Sequence, residues 1–188
     1  QVGHKRKGLS MRCLGCWNLL LGSLLVLLLN PLETRAKDPL VVFLVRHAEK
    51  VDASRDPDLS AAGKTRAVAL AHGLRDADVQ HIHSSDYIRT RGTAAPIAAH
   101  FHLKVELYDH RALPDLIEKL RKTGGRHLIV GHSTSTPSVV ELLGGKSGPP
   151  IDEAAEFDRL YIVTIDANGK ASTVLIRYGR PFMKAEVQ

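Results

Sequence analysis

The sequence has only two cysteines, Cys13 and Cys16, and none after residue 16. Their absence excludes disulfides, cysteine nucleophiles and cysteine-ligated metals from nearly the whole chain. Aromatic residues are also scarce, at 5%. After residue 36 there is no block of Lys and Arg interleaved with aromatics, so the sequence does not predict a nucleic-acid groove.

A strong excess of one charge is missing once the first 36 residues are set aside. The formal net charge is +6, from 26 Lys and Arg against 20 Asp and Glu. Residues 1–36 hold five of the basic residues and one of the acids, which leaves 21 basic and 19 acidic residues, a net charge of +2. The basic character therefore gives no argument for a polyanionic partner.

The chain also lacks an apolar run that would span a bilayer comfortably. The leucine-rich run from Leu19 to Leu29 has about eleven residues, too few for roughly 30 Å of hydrocarbon. A basic segment precedes this run, and Thr34-Arg35-Ala36 follows it with small residues where a signal peptidase cleaves. We therefore predict a signal peptide over residues 1–36 and a periplasmic or secreted domain over residues 37–188, with no stable membrane insertion after cleavage. The alternative is an uncleaved N-terminal anchor.

Apolar runs and helical stripes alternate along the rest of the chain. Strand-like runs occur at 40–45, 79–83, 105–107, 127–130, 160–165 and 173–177. Helical patterns fill 61–74, 113–122 and 137–143, and Ser85 or Asp86 is expected to cap another helix that runs to Ala99. This order predicts an α/β fold: a three-layer α/β/α sandwich with a mostly parallel central sheet and a terminal antiparallel hairpin.

Polar residues follow the predicted strands at the points where they end. Arg46 and His47 end the first strand, and His132 follows the strand at 127–130. Since the carboxyl ends of parallel strands meet at one edge of a sheet, we expect these side chains to lie close together. Arg89, in the segment after the second strand, is a candidate for the same edge.

These residue types suit the cleavage of a phosphomonoester, whose phosphate carries close to two negative charges. Arg46 and Arg89 are the candidates to bind it, because a guanidinium is always charged and binds two oxygens at once. His47 is the candidate nucleophile, since a neutral imidazole attacks phosphorus while a backbone carbonyl holds its other ring nitrogen. His132 would donate to the same phosphate oxygens.

Four motifs, in this order, resemble the histidine phosphatase superfamily, which includes the cofactor-dependent phosphoglycerate mutases. They are Arg46-His47, Leu59-Ser60-x-x-Gly63-x-x-Arg66-Ala67, Ser85-x-Tyr87-x-Arg89-Thr90-x-x-Thr93-Ala94 and Gly131-His132-Ser133. The chain is most similar to the short exported members of branch 1 and to the compact phosphohistidine phosphatases. The resemblance implies a phosphoglycerate mutase-like fold, a phosphate pocket of Arg46, His47, Arg89 and His132, and transient phosphorylation of His47.

The sequence therefore predicts a phosphatase that acts on small phosphorylated substrates through a phosphohistidine on His47. No metal or other cofactor is expected, because the chain offers two arginines and two histidines but no clustered carboxylates. The alternatives are a phosphohistidine-protein phosphatase and a catalytically inactive phosphate-binding module. A mutase fits least well, since the chain has little sequence from which to build a lid.

Several other polar residues have structural interpretations. Two histidine pairs have the alternating spacing of metal ligands but no suitably spaced carboxylate: His81 with His83, and His100 with His102. Arg91 lies two positions from Arg89, off the face of the helix that holds Arg89, and is interpreted as a surface charge.

The leaving oxygen has to be protonated as the P–O bond breaks. The long insertion that supplies a glutamate acid in the mutases is missing here, so we expect a carboxyl group from the segment that precedes Leu113. Asp109, just past a strand end, is favoured over Glu106, which lies inside that strand. Glu49 and Glu153 are the remaining candidates.

Overall fold

The computed structural model describes residues 39–182, which form a six-stranded sheet and four α-helices. The strands are β1 (Leu40–Arg46), β2 (His81–Ser85), β3 (Val105–Tyr108), β4 (Arg126–Gly131), β5 (Arg159–Ile165) and β6 (Ala171–Arg177). The helices are α1 (Ala61–Gly73), α2 (Ile88–Phe101), α3 (Leu113–Thr123) and α4 (Ser135–Leu142).

The predicted signal peptide, residues 1–36, lies outside the described residues. Cleavage after Ala36, export and the alternative of an uncleaved anchor therefore stay predictions. Within residues 39–182, no helix is long and apolar enough to cross a membrane.

The sheet has the strand order β3-β2-β4-β1-β5-β6. The first four strands in this order pair in parallel, whereas β5 is antiparallel to β1 and β6 is antiparallel to β5. The predicted mostly parallel sheet and its terminal hairpin are confirmed. Helical crossovers connect the parallel strands, so the carboxyl ends of all four lie on one edge of the sheet.

Helices cover both faces of the sheet, which confirms the predicted three layers. The core on one face joins Leu44 to residues of α3 and α4, and the core on the other face joins Val45 to residues of α1 and α2. β1 is therefore buried on both faces, which explains why its sequence is continuously apolar rather than alternating.

The start of α2 differs from the prediction. Its N-cap is Tyr87, which makes no side-chain capping bond, so the expectation that Ser85 or Asp86 caps the helix was wrong. Both side chains are engaged elsewhere, since the Ser85 hydroxyl bonds to His132 and Asp86 pairs with Arg91.

Helix α1 approaches the loop after β1 very closely at Gly63. The Ser60 hydroxyl accepts a hydrogen bond from the Gly63 amide at 3.1 Å and fixes the start of the helix. A Cβ atom on Gly63 would overlap the carbonyl oxygen of Glu49. Because Glu49 follows His47 by two residues, this glycine lets the helix pack against the loop that positions the candidate nucleophile.

We expect Gly63→Ala to lower the free energy of unfolding by roughly 1–3 kcal/mol, because the added methyl group has to displace backbone. Gly73→Ala, in the last turn of the same helix, is the matched control, since nothing lies within 4 Å of its added Cβ. That variant should be neutral or more stable by up to about 1 kcal/mol. Urea unfolding followed by circular dichroism measures both, and equal stabilities would contradict the close approach at Gly63.

Candidate active site

The candidate site lies at the carboxyl ends of β1 and β4. Their parallel register pairs Arg46 with Gly131, and the His47 amide donates to the Gly131 carbonyl at 2.9 Å. The next residue, His132, then lies beside His47, with ring centroids 5.6 Å apart. Arg89 lies in the first turn of α2. Its positive charge is close enough to contribute to the lowered pKa values of Arg46, His47 and His132. The structure thus brings together the four residues singled out for the phosphate pocket.

His47 is held as a buried, neutral imidazole. Only 4% of the residue is exposed, and its Nδ1 donates to the Ala48 carbonyl oxygen at 2.8 Å. Because a carbonyl oxygen only accepts, this bond places the ring proton on Nδ1 and leaves the lone pair of Nε2 free. Burial is the main cause that lowers the pKa of His47 to about 3; the bond to Ala48 opposes this shift, and the charges of Arg46 and Arg89 contribute to it. At neutral pH, His47 is therefore ready to act as a nucleophile.

The Arg46 guanidinium is held by backbone oxygens. Its Nη1 donates to the carbonyl oxygens of Asp152 and Glu156, each at 3.0 Å, and its Nη2 donates to that of Glu153 at 2.5 Å. The guanidinium also lies over the ring of Phe157, 4.1 Å from its centroid. Burial lowers the pKa of Arg46 to about 10, so the group is still charged at neutral pH. Carbonyl oxygens orient this cation without neutralising it.

A buried ion-pair network fixes the segment that holds Arg46. Glu156 accepts hydrogen bonds from Arg159, at 2.7 Å and 2.9 Å, and from Arg177 at 2.6 Å. Arg177 also pairs with Asp158 at 2.6 Å. Although burial acts in the opposite direction, the hydrogen bonds from the two arginines lower the pKa of Glu156 to about 2. The position of Arg46 therefore depends on groups that are remote from it in sequence.

Arg89 supplies the second guanidinium, which lies over the ring of Tyr87, 4.3 Å from its centroid. Thr93 connects its helix to the loop after β1. The Thr93 hydroxyl accepts from the Ala48 amide at 2.9 Å and donates to the Arg89 carbonyl at 2.8 Å. This threonine of the third motif thus fixes Arg89 relative to His47.

Two buried donors in the site have no acceptor among residues 39–182. They are the Nε atoms of Arg46 and Arg89. The other contacts of Arg89 are long, at 3.5 Å to the Arg55 carbonyl and 3.5 Å to the Asp56 carboxylate. An Nε–H together with a neighbouring Nη–H is the fork with which arginine binds two oxygens of one anion. The two guanidinium groups are therefore suited to bind a single oxyanion next to His47.

His132 is positioned by two serine hydroxyls. Its Nε2 lies 2.8 Å from Ser85 Oγ, and its amide donates to Ser135 Oγ at 3.0 Å. A Cβ atom on Gly131 would come within 2.9 Å of Ser135 Oγ, so the glycine of this motif makes room for the second hydroxyl. Burial lowers the pKa of His132 to about 4, and the charge of Arg89 adds to this effect. His132 is therefore a neutral ring next to the nucleophile.

Two carboxylates that the sequence offered as acids are engaged elsewhere. Glu49 accepts three hydrogen bonds from Arg66, which outweigh its burial and lower the pKa of Glu49. Glu106 pairs with Lys119 at 2.6 Å and lies 3.5 Å from His81. Both are bound as ionised partners and are not placed to protonate a leaving group at the candidate site.

Asp109 lies just past β3, as expected, and its carboxylate is hydrogen-bonded within its own loop. Its Oδ1 accepts from the Arg111 amide at 2.9 Å, and 63% of the side chain is exposed. The next residue, His110, contacts His132 instead, with ring centroids 5.2 Å apart. The assignment of the general acid to Asp109 stays a prediction. Sequence reasoning missed His110, although an Asp that can bond to the backbone two residues later is a recognisable turn signal.

The two histidine pairs contact other parts of the fold. His81 stacks on His127, and His83 Nε2 donates to His127 Nδ1 at 3.0 Å. His100 donates to a carbonyl oxygen at 3.2 Å, and His102 is the left-handed C-cap of α2. Within residues 39–182, no group of three or more His, Cys, Asp or Glu is arranged to hold a metal ion.

Comparison with known proteins identifies one family. Residues 42–118 match the histidine phosphatase superfamily (branch 1). Rv0525, an uncharacterized protein of Mycobacterium tuberculosis, is 41% identical over 70 residues, which are 37% of this chain and 32% of that protein. The chain thus spans about a third of the length of the curated relatives that it matches.

Solved structures share the fold. The protein histidine phosphatase SixA, complexed with tungstate, has a TM-score of 0.59 at 18% identity, over 73% of this chain and 96% of that chain. The mycobacterial glucosyl-3-phosphoglycerate phosphatase Rv2419c has a TM-score of 0.59 at 15% identity, over 76% of this chain and 100% of that chain. These likenesses confirm the predicted phosphoglycerate mutase-like fold.

The lowered pKa values of the two site histidines, His47 and His132, contribute a pH dependence of stability. Between about pH 6.5 and pH 4 the unfolded chain binds protons at His47 and His132 that the folded protein does not bind. The free energy of unfolding should therefore fall as the pH is lowered through this range, with a limiting slope of about 1.4 kcal/mol per pH unit for each histidine. Urea unfolding at pH 7 and pH 5 measures the change.

His47→Gln should reduce this slope, because it removes one of the groups that titrate only in the unfolded chain. His100→Gln, at an exposed position, is the control and should leave the slope unchanged. An unchanged slope in His47→Gln would show that His47 is not kept neutral by the fold.

Proposed function

We propose that this chain is a member of the histidine phosphatase superfamily, branch 1, whose model matches residues 42–118, and that it hydrolyses small phosphomonoesters through a phosphohistidine on His47. One observation carries the proposal. The buried Nε donors of Arg46 and Arg89 have no acceptor in residues 39–182, and they flank a neutral imidazole whose Nε2 is free. Donors for an oxyanion and a nucleophile for its central atom are thus in one place.

Binding of the phosphate group is the first step. Arg46 and Arg89 neutralise its two charges, and each guanidinium has an Nε–H for which residues 39–182 provide no acceptor. SixA, which shares the fold, was solved in complex with tungstate, a tetrahedral dianion like phosphate, and this supports binding of such an anion by this fold. A buried cation acts strongly on the bound anion, because little water screens the interaction.

Attack by His47 is the second step. The Nε2 lone pair forms a bond to phosphorus, the P–O bond to the leaving group breaks, and the electron pair goes to the leaving oxygen, which takes up a proton. The Nδ1–H bond to the Ala48 carbonyl, at 2.8 Å, holds the ring in place and stabilises the positive charge that develops on it. Water then attacks the phosphohistidine and releases inorganic phosphate.

His132 stabilises the phosphate oxygens through the nitrogen that does not bond to Ser85. The Ser85 hydroxyl lies 2.8 Å from His132 Nε2 and 3.2 Å from the Thr90 hydroxyl. When Ser85 donates to Nε2, the ring proton sits on Nδ1 and is free to be donated to the phosphate. The neutral state of both histidines favours catalysis over the alternative of an inactive phosphate-binding module.

A phosphohistidine-protein phosphatase is the second candidate function. The specific observation in its favour is that the segment between α2 and α3 is short and leaves an open groove of about 390 Å³ beside the site. A loop of a protein substrate could enter such a groove. Comparing turnover of a phosphohistidine peptide with that of alkyl and aryl phosphates distinguishes the two functions.

The phosphoenzyme gives the direct test of the proposal. Quenching the enzyme at alkaline pH during turnover of labelled p-nitrophenyl phosphate should trap an acid-labile label on His47, and His47→Ala should abolish both label and turnover. We propose that no metal takes part, so an excess of chelator should leave the rate unchanged. Normal turnover in His47→Ala would exclude the mechanism.

The two arginines give a second test. Arg46→Ala and Arg89→Ala should each lower kcat/KM by about 10²–10³-fold, the usual cost of removing one transition-state donor. Arg91→Ala is the matched control, because Arg91 lies on the same helix but pairs with Asp86 at the surface. A loss of equal size in all three variants would indicate a general effect of positive charge rather than binding by two specific guanidinium groups.

A further inference from the structure

We infer that His110 is the general acid of this site, the group that protonates the leaving oxygen and later activates water. The inference rests on the proposed phosphatase function. It assigns to an imidazole the step for which the sequence suggested a carboxyl group.

The carboxylates that border the site already accept hydrogen bonds from the protein. Asp56 accepts from the amide of Ile88 at 2.8 Å, and Asp152 accepts from the amides of Ala154 and Ala155 at 2.9 Å and 3.2 Å. Glu49, Glu106, Asp109 and Glu156 also accept hydrogen bonds, from the partners described above. For the three glutamates these bonds lower the pKa and favour the charged form, which does not donate a proton.

Glu153 is the one bordering carboxyl group for which no hydrogen bond is described within residues 39–182. Its negative charge raises the pKa of Arg46, so the two groups lie close together. Glu153 is therefore beside the phosphate-binding cation, in the turn after α4. It is the competitor that the experiment has to exclude.

His110 lies in the loop after β3 and contacts the site through His132. Its ring is 5.2 Å from the ring of His132 and 5.5 Å from that of Tyr87, and 29% of its side chain is exposed. The His132 ring contacts the rings of both His47 and His110. Among the described residues there is no ring contact between His47 and His110, so His132 lies between them. A group displaced in line departs on the side away from the attacking nitrogen. The leaving oxygen therefore departs from phosphorus on the side opposite His47, and the inference assigns the His110 ring to that side.

The groove beside the site is where the inference places the leaving group of the substrate. Its lining residues are Asp86, Tyr87, Leu107, Tyr108, Asp109, His110 and Arg111. The titratable and charged groups that face His110 are His132 from the end of β4, Tyr87 from the start of α2, and Asp109 and Arg111 from its own loop. Asp109 Oδ1 lies 3.9 Å from His110 Nδ1, so Asp109 is placed to stabilise the protonated ring.

His110 gives up one proton in the first step and takes up one proton in the second step. As His47 Nε2 bonds to phosphorus, the P–O bond breaks and protonated His110 gives its proton to the leaving oxygen, which departs as an alcohol. Neutral His110 then takes a proton from the water that attacks the phosphohistidine. Inorganic phosphate leaves, and both rings return to their starting states.

His110→Gln tests the inference with two substrates. Hydrolysis of β-glycerol phosphate, whose alkoxide leaving group needs a proton, should fall by about 10²-fold or more. Hydrolysis of p-nitrophenyl phosphate, whose leaving group needs little protonation, should change by only a few-fold. His100→Gln, at an exposed position away from the site, is the control and should affect neither rate.

A rescue variant separates an acid from a merely structural ring. His110→Glu should regain part of the β-glycerol phosphate activity, and the basic limb of its pH profile should move to lower pH, because carboxyl groups ordinarily titrate below imidazoles. A positioning role for His110 would not produce that shift.

The other outcomes overturn the inference in distinct ways. Equal losses on both substrates would mean that His110 only positions His132. No loss on either would exclude His110, and a selective loss in Glu153→Gln or Asp109→Asn would then identify the acid. If labelling of His47 fails in the wild type, the proposed function fails and the role of His110 falls with it. If His47 is labelled in both wild type and His110→Gln while hydrolysis is unaffected, only the inference about His110 is wrong.

Discussion

The parallel pairing of β1 with β4 is the constraint on which the rest of the site depends. This pairing sets Arg46 opposite Gly131 and ties the His47 amide to the Gly131 carbonyl. Both strands are buried between helical layers, so a shift of register by one residue would send apolar side chains to the wrong face of the sheet. The hydrophobic core thus fixes the distance between His47 and His132, although neither ring belongs to it.

The buried arginines of this protein fall into two classes that differ in their partners. Arg66 and Arg159 are each hydrogen-bonded to a carboxylate, and both also bind backbone carbonyls, so their charge is neutralised within the fold. Arg46 is bound by carbonyl oxygens, and its Nε, like that of Arg89, has no acceptor in the described part of the chain. A protein that binds anions needs the second class, since a cation already paired with a carboxylate has little affinity left for a phosphate.

Much of the fold and of the phosphate pocket could be predicted from sequence, because periodic apolar runs and strand-end motifs are local signals. The groups that hold Arg46 could not, since its carbonyl acceptors come from a turn more than a hundred residues later. The sequence did not single out His110 for a different reason. Strand ends indicate where side chains emerge but not their direction, and the bond from the Arg111 amide to Asp109 decides which side chain of that loop contacts His132.

The loop after β3 is also closed by its own short-range bonds. Besides the bond from the Arg111 amide, the Ala112 amide donates to the Asp109 carbonyl at 3.1 Å. Local bonds of this kind make a loop a self-contained unit that tolerates replacement. Arg46, His47 and His132 are held at the ends of two paired strands of the sheet. The loop after β3, which lines the neighbouring groove, is a short segment held mainly by its own bonds. Divergence toward new substrates can therefore proceed by replacing this segment, and His110 with it, while Arg46, His47 and His132 stay in place on the sheet.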